Sequence, residues 1–178
     1  MSLPFHDTRY RFIESMLLLL HGRQSVQERG PRAVNTSAMK HLNLTRTPPR
    51  SPQEKLGGLL MLARTIDKLR ASLPGGDLGV YQMAGFSARL LTELGIEEDA
   101  LRESVINAET EAEVVAYVHA HSDASKYPAI NESFAKLRIA DRLDNEAFVE
   151  KYPIVKKLPP ETSLLEMLEY DDCDAFLQ

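Results

Sequence analysis

Four cations and one carboxylate cluster early in the chain: Arg50, Lys55, Arg64, Asp67 and Lys68. Arg64 and Asp67 stand three residues apart and can meet on one helix face. Arg64 and Lys68 stand four apart with like charge, which disfavours a helix unless an anion lies between them. With Arg50 and Lys55 they make a candidate site for a small anion, because arginine offers a bidentate fork to carboxylate or phosphate. Asp67 is the one plausible acid or base in that set. The plainer alternative is a solvated helix face carrying an Arg–Asp pair.

Gly57-Gly58 interrupts the same stretch. Ser51-Pro52-Gln53-Glu54 has the form of a capping box with proline at the first helical position. Leu59, Leu62, Ala63, Ile66 and Leu69 follow at helical spacing, and Pro74-Gly75-Gly76 closes the segment. This pattern predicts an amphipathic helix over about 52–72. Each interior glycine costs such a helix about 1 kcal/mol relative to alanine. Gly57 and Gly58 therefore point to close approach of another helix backbone, to close approach of a ligand or partner, or to a helix that begins later.

Other chemistry-bearing residues form weaker patterns. In His119-Ala120-His121 the histidines stand two apart, and a helix would point them to different sides. No third ligand is evident, so no metal is expected. Glu169, Asp171, Asp172 and Asp174 lack the glycine and spacing of a calcium loop and read as a solvated acidic end. The same carboxylates would raise the pKa of Cys173, and no base partner marks it as a nucleophile. No glycine-rich phosphate loop, nucleophile elbow or HExxH motif occurs, and no cofactor is expected.

The elements that must position these residues are helical. The pattern predicts helices over Phe86–Leu94, with Gly95 as the C-terminal cap, and over Glu97–Asn107. Thr110-Glu111-Ala112-Glu113 is a second capping box, and Ser163-Leu164-Leu165-Glu166 a third. Pro128 opens a helix with Ile130, Phe134 and Leu137 inward, and a short one runs over Asn145–Tyr152. No segment alternates as a strand would. The expected fold is all-α, one compact domain of six or seven helices spanning 39–178.

Residues 1–38 differ in composition. They carry a net charge of +2 against −7 for the remainder. Gly, Arg, Gln and Ser dominate from His21 to Ser37. The segment reads as an N-terminal extension, either flexible or a peripheral helix over about Thr8–His21, with Met39 a possible start of its own. The apolar centre Met16–Leu20 is too short for a secretory signal or a membrane span. A single cysteine excludes an internal disulfide and fits a cytoplasmic setting. The formal charge of −5 argues against a nucleic-acid footprint.

Pro49-Arg50-Ser51-Pro52, Lys55-Leu56-Gly57-Gly58-Leu59 and Leu62 to Ala71 together resemble the bacterial family of domain of unknown function 5069. Leu42–Arg46, Gly85–Ile96 and Ser163–Phe176 share the likeness, which covers Met39 to the C-terminus. The resemblance implies a small helical bacterial protein and no particular activity. On the residues alone, the leading expectation is a non-catalytic binding or protein-interaction module, self-association included, using the helix from Pro52 to Ser72. The alternative is an enzyme or sensor for a small anionic ligand, phosphate or carboxylate, built on Arg50, Lys55, Arg64, Asp67 and Lys68. Location discriminates between them: a concave pocket lined by Arg64 and Asp67 favours the second, and a dimer interface or open solvent around them counts against it.

Overall fold

The computed structural model describes residues 41–176; the segment 1–38 lies outside them. Among the described residues seven α-helices follow one another: α1 Leu62–Ala71, α2 Phe86–Leu94, α3 Glu98–Asn107, α4 Glu111–His121, α5 Tyr127–Ala135, α6 Glu146–Lys151 and α7 Leu164–Phe176. Short 3-10 turns lie at Ala124–Lys126, Ile139–Arg142 and Pro153–Lys157. Among the described residues there are only isolated β-bridges, such as Asn43 with Asp77, and no strand. No helix among them is long and apolar enough to cross a membrane.

Most helix boundaries follow local chemistry. Thr110 caps α4 by accepting from the Glu113 amide at 3.4 Å. Glu113 accepts in turn from the Glu109 amide at 2.8 Å, one residue earlier than a capping box requires. Ser163 Oγ accepts from the Glu166 amide at 3.1 Å at the start of α7. Asn145 caps α6 through the Phe148 amide at 3.0 Å. Gly95 ends α2 at φ 69°, a left-handed cap that costs glycine nothing.

The first helix departs from expectation. It starts at Leu62, not near Pro52. The Ser51 hydroxyl accepts from the Gln53 amide at 3.0 Å, and the Glu54 amide turns back to the Ser51 carbonyl at 3.1 Å, which makes a turn. Leu56 and Leu59 then exchange both backbone hydrogen bonds across Gly57 (φ 58°) and Gly58 (φ 85°). Two central residues at positive φ are what a tight two-residue reversal of the I′ kind demands, so the glycines make a turn. The apolar spacing of Leu59 continued the helical register by coincidence.

The turn is pinned from two helices. His119 Nε2 donates to the Gly57 carbonyl at 2.9 Å, and Asn131 Nδ2 donates to the Gly58 carbonyl at 2.8 Å while its Oδ1 accepts from Leu60 N. A Cβ on Gly57 would lie 2.8 Å from Val115 Cγ1 and 3.1 Å from His119 Nε2; on Gly58 it would meet only Tyr127 Cδ2 at 3.7 Å. Gly57→Ala is therefore expected to cost about 2 to 3 kcal/mol, combining left-handed strain with overpacking. Gly58→Ala should cost about 1 kcal/mol from strain alone. Urea denaturation of both variants checks the order; equal losses would refute the steric account.

α1 is the axis of the domain. It packs on α2 and α3, with α3 on α4 and α5 on α7. Every α1 residue except Arg70 is buried. The core gathers Leu59, Leu62, Ile66 and Leu69 with Leu90, Leu101, Phe134, Leu164 and Met167. Within the stretch Pro52–Ser72 the helix itself is therefore covered, while Gln53, Glu54, Lys55, Gly58 and Ser72 stay exposed.

Candidate functional site

Three of the buried residues of α1 are charged: Arg64, Asp67 and Lys68 are 2, 3 and 7 % exposed. They are not a solvated face, and each must be neutralised or stay costly. Asp67 is not paired with Arg64. The guanidinium of Arg50 takes it instead, with Nε at 3.0 Å from Oδ2 and Nη2 at 2.9 Å from Oδ1. Arg50 also donates to Glu111 at the start of α4. Burial works against the Arg50 charge, but Asp67 and Glu111 outweigh it and raise its pKa. This cluster fastens the segment before α1 to two helices and engages both carboxylate oxygens of Asp67.

Arg64 reaches in another direction. It grips Asp172 of α7 with both ends of its fork, Nη1 to Oδ2 at 2.6 Å and Nη2 to Oδ1 at 2.9 Å. Tyr81 donates its hydroxyl to Asp172 Oδ1 at 2.9 Å, and its ring lies 5.4 Å from the Arg64 guanidinium. Arg64 Nε is buried without a hydrogen-bond partner, alone in this among the described residues. The acidic C-terminal cluster is thus not a solvated end: Asp172 is buried, and Asp171 is half-buried. Asp172 falls on the apolar stripe of α7 with Leu164, Leu165 and Leu168, the one sequence signal that a carboxylate there needs a buried cation.

Lys68 has no carboxylate partner among the described residues. Its Nζ donates to the Gln82 carbonyl at 3.1 Å and to Ser87 Oγ at 3.3 Å. Thr65 Oγ1 also donates to Ser87 Oγ at 3.2 Å. Burial, then the like charge of Arg64, pushes the Lys68 pKa down from 10.5 to about 8, with Lys151 adding to the effect and Asp172 opposing it.

Arg64 and Lys68 both line a recessed cavity of about 170 Å³, walled also by Met61, Tyr81, Lys151, Tyr152 and Asp171. Burial, then the neighbouring Asp172, pushes Asp171 up to about 6. Burial first and Asp171 second raise the Tyr152 phenol. Burial first and Asp172 second raise the Tyr81 phenol. Met61 stands at φ 66° at the head of α1, the one non-glycine residue at positive φ among those described. Such strain persists only where surrounding contacts over-determine it, and it concentrates at functional sites. A wider cleft of about 390 Å³ adjoins, sharing Phe86, Lys151 and Tyr152 with the cavity and adding Arg89, Arg142 and Phe148.

Of the residues expected from sequence, the structure brings Arg64 and Lys68 into one cavity. Arg50 and Asp67 form a separate ion-pair cluster, Lys55 is exposed, and Gly57 and Gly58 form the turn. Tyr81, Lys151, Tyr152 and Asp171 carry no local motif; only folding gathers them. His119 is engaged by the Gly57 carbonyl, and His121 Nδ1 donates to the Tyr117 carbonyl at 2.8 Å. No cluster of metal-ligating side chains occurs among the described residues. Burial, then Asp172 and Glu169, raises the pKa of Cys173, the direction expected from its neighbours.

The profile of the domain of unknown function DUF5069 matches residues 46–173, which takes in α1, the Gly57-Gly58 turn, the cavity and Asp172. The chain belongs to this family. No curated protein matches it. Every described residue that lines the cavity falls within the family segment.

Proposed function

We propose that the chain binds a small anion, a carboxylate or a phosphate-sized oxyanion, in the cavity beside Lys68. The observation that carries this reading is the Lys68 ammonium, buried and held by neutral acceptors only. With Asp172 paired to Arg64, the walls contribute Lys68 and Lys151 against the single carboxylate of Asp171. An anion would restore the balance, take the third N–H of Lys68 and meet the unpartnered Arg64 Nε. The volume lies below the 300 to 1,000 Å³ or so of common ligand sites, so the ligand has few non-hydrogen atoms. The adjoining cleft would admit it past Phe86, Lys151 and Tyr152.

Of the seven residues expected from sequence, Arg64 and Lys68 would touch the ligand, while Arg50 and Asp67 would fix α1. The reading as a protein-interaction module draws less support: the exposed large hydrophobics among the described residues, Val80, Ile106 and Leu143, sit on separate elements. A single thiol, half-buried at Cys173, is in keeping with a reducing cytoplasm.

Thermal unfolding of the full chain with acetate, phosphate or neutral acetamide tests the proposal. At a hundred times its dissociation constant an anion should stabilise by about 2.7 kcal/mol, a rise of about 5 to 11 °C. Lys68→Met should abolish the rise and Lys55→Ala should keep it. An equal rise in Lys68→Met, or none in the unaltered chain, would defeat the proposal.

A further inference from the structure

We infer that the cavity captures a small 2-oxo acid covalently, the Lys68 amine condensing with its carbonyl to an imine while Asp171 carries the proton. This rests on the reading of the cavity as a small-anion site and names the ligand class.

At neutral pH Lys68 is mostly the ammonium that holds the anion, but the hydrogen bonds around it also accommodate the neutral amine. A neutral amine has two N–H groups and one lone pair; an ammonium has three N–H groups. The described residues supply two acceptors, Gln82 O and Ser87 Oγ. They satisfy the neutral form completely and leave the lone pair in the third tetrahedral direction. The ammonium would keep one buried N–H unpaired, at a real cost in free energy. Desolvation and adjacent cations are the two circumstances that turn a lysine into a nucleophile, and Lys68 has both, with Arg64 and Lys151 beside it. A pKa of about 8 makes its neutral fraction at neutral pH on the order of a hundredfold larger than that of an ordinary lysine. The carboxylate of a 2-oxo acid finds Lys151 and Arg64 in the same wall.

The chemistry balances without a further reactant. The Lys68 lone pair forms the C–N bond, and the carbonyl π pair moves to oxygen, which takes up the proton lost by nitrogen. The carbinolamine hydroxyl leaves as water with a proton from the Asp171 carboxyl. Asp171 recovers that proton from nitrogen as the imine becomes neutral. Asp171 lines the same cavity as Lys68, and its raised pKa, about 6, suits it to give and take the proton near neutrality. Hydrolysis of the imine is the reverse path.

The test incubates the full chain with pyruvate and sodium cyanoborohydride at neutral pH, followed by intact-mass analysis and peptide mapping. Thermal unfolding with acetate runs in parallel. The expected result is one reduced adduct per chain, on Lys68, formed at least about tenfold faster than on any exposed lysine. Asp171→Asn should slow it, and Lys68→Arg, which keeps the cation but not the nucleophile, should give none. Adducts spread over surface lysines, or no adduct, while acetate still stabilises the unaltered chain, would overturn the covalent step and leave the anion site standing. Neither adduct nor acetate stabilisation would overturn both. A Lys68 adduct formed at the same rate in Asp171→Asn would remove Asp171 from the mechanism.

Discussion

Asp172→Ala destabilises the domain by about 4 kcal/mol, the largest loss expected from any single charged side chain here. The variant leaves the Arg64 guanidinium in a site where that residue is 2 % exposed, with only the Pro49 and Arg50 carbonyls, at 3.5 and 3.3 Å, as partners. It also strips the Tyr81 hydroxyl of its acceptor. Removing one member of a buried pair costs far more than the pair itself contributes, because the survivor keeps its desolvation penalty. The double variant Arg64→Met with Asp172→Leu should therefore recover most of the loss. Denaturant unfolding of Arg64→Met, of Asp172→Leu and of the double variant completes the cycle. Additive losses would show that Arg64 and Asp172 act independently, against the bidentate geometry of the pair.

Raising the pH from 7 to 11 should close the stability gap between Lys68→Met and the unaltered chain, in favour of the latter, by about 3 kcal/mol. In the folded state Lys68 releases its proton near pH 8, and in the unfolded state near 10.5. Below pH 8 both states hold the proton, and folding bears the full cost of burying the ammonium beside Arg64 and Lys151, with Asp172 offsetting part. Between the two values the unfolded state binds more protons, so stability rises with pH. Above 10.5 the cost is gone. Subtracting the Lys68→Met curve removes the titrating groups that are not coupled to Lys68. A gap independent of pH would mean that Lys68 titrates as an exposed lysine, and the neutral nucleophile would lose its basis. Acetate bound in the cavity should shift the rise to higher pH, because an anion beside Lys68 favours the charged form.

Local information was enough for most of the architecture. Thr110, Asn145 and Ser163 announce the helices that follow them because a side-chain oxygen satisfies a backbone amide two or three residues on, a contact that needs no tertiary partner. Gly95 ends α2 for an equally local reason. Absence of alternation and recurrent 3.6-residue spacing gave the all-α class, and the segment Pro49 to Ala71 carried the family likeness that the match over 46–173 shows.

The start of α1 was decided elsewhere. Ser51-Pro52 satisfies the rules of a helix cap, yet Ser51 Oγ also donates to Glu169 on α7, and Asn131 and His119 hold the Gly57-Gly58 turn from α5 and α4. Those partners lie 62 or more residues away in sequence, so no local pattern reports them.

The sequence by itself therefore determined the class, most helix ends other than the start of α1, and the concentration of charge around α1. Tertiary structure alone decided that this charge is buried. A helix with Arg, Asp, Lys and Arg among its residues reads as half-solvated, because ionised groups normally stay in water. Here Arg50 and Asp172 arrive from remote segments to neutralise Asp67 and Arg64, and among the described residues no carboxylate pairs with Lys68. Which buried charge finds a partner is a property of the packed domain, and the one left with neutral acceptors marks the cavity.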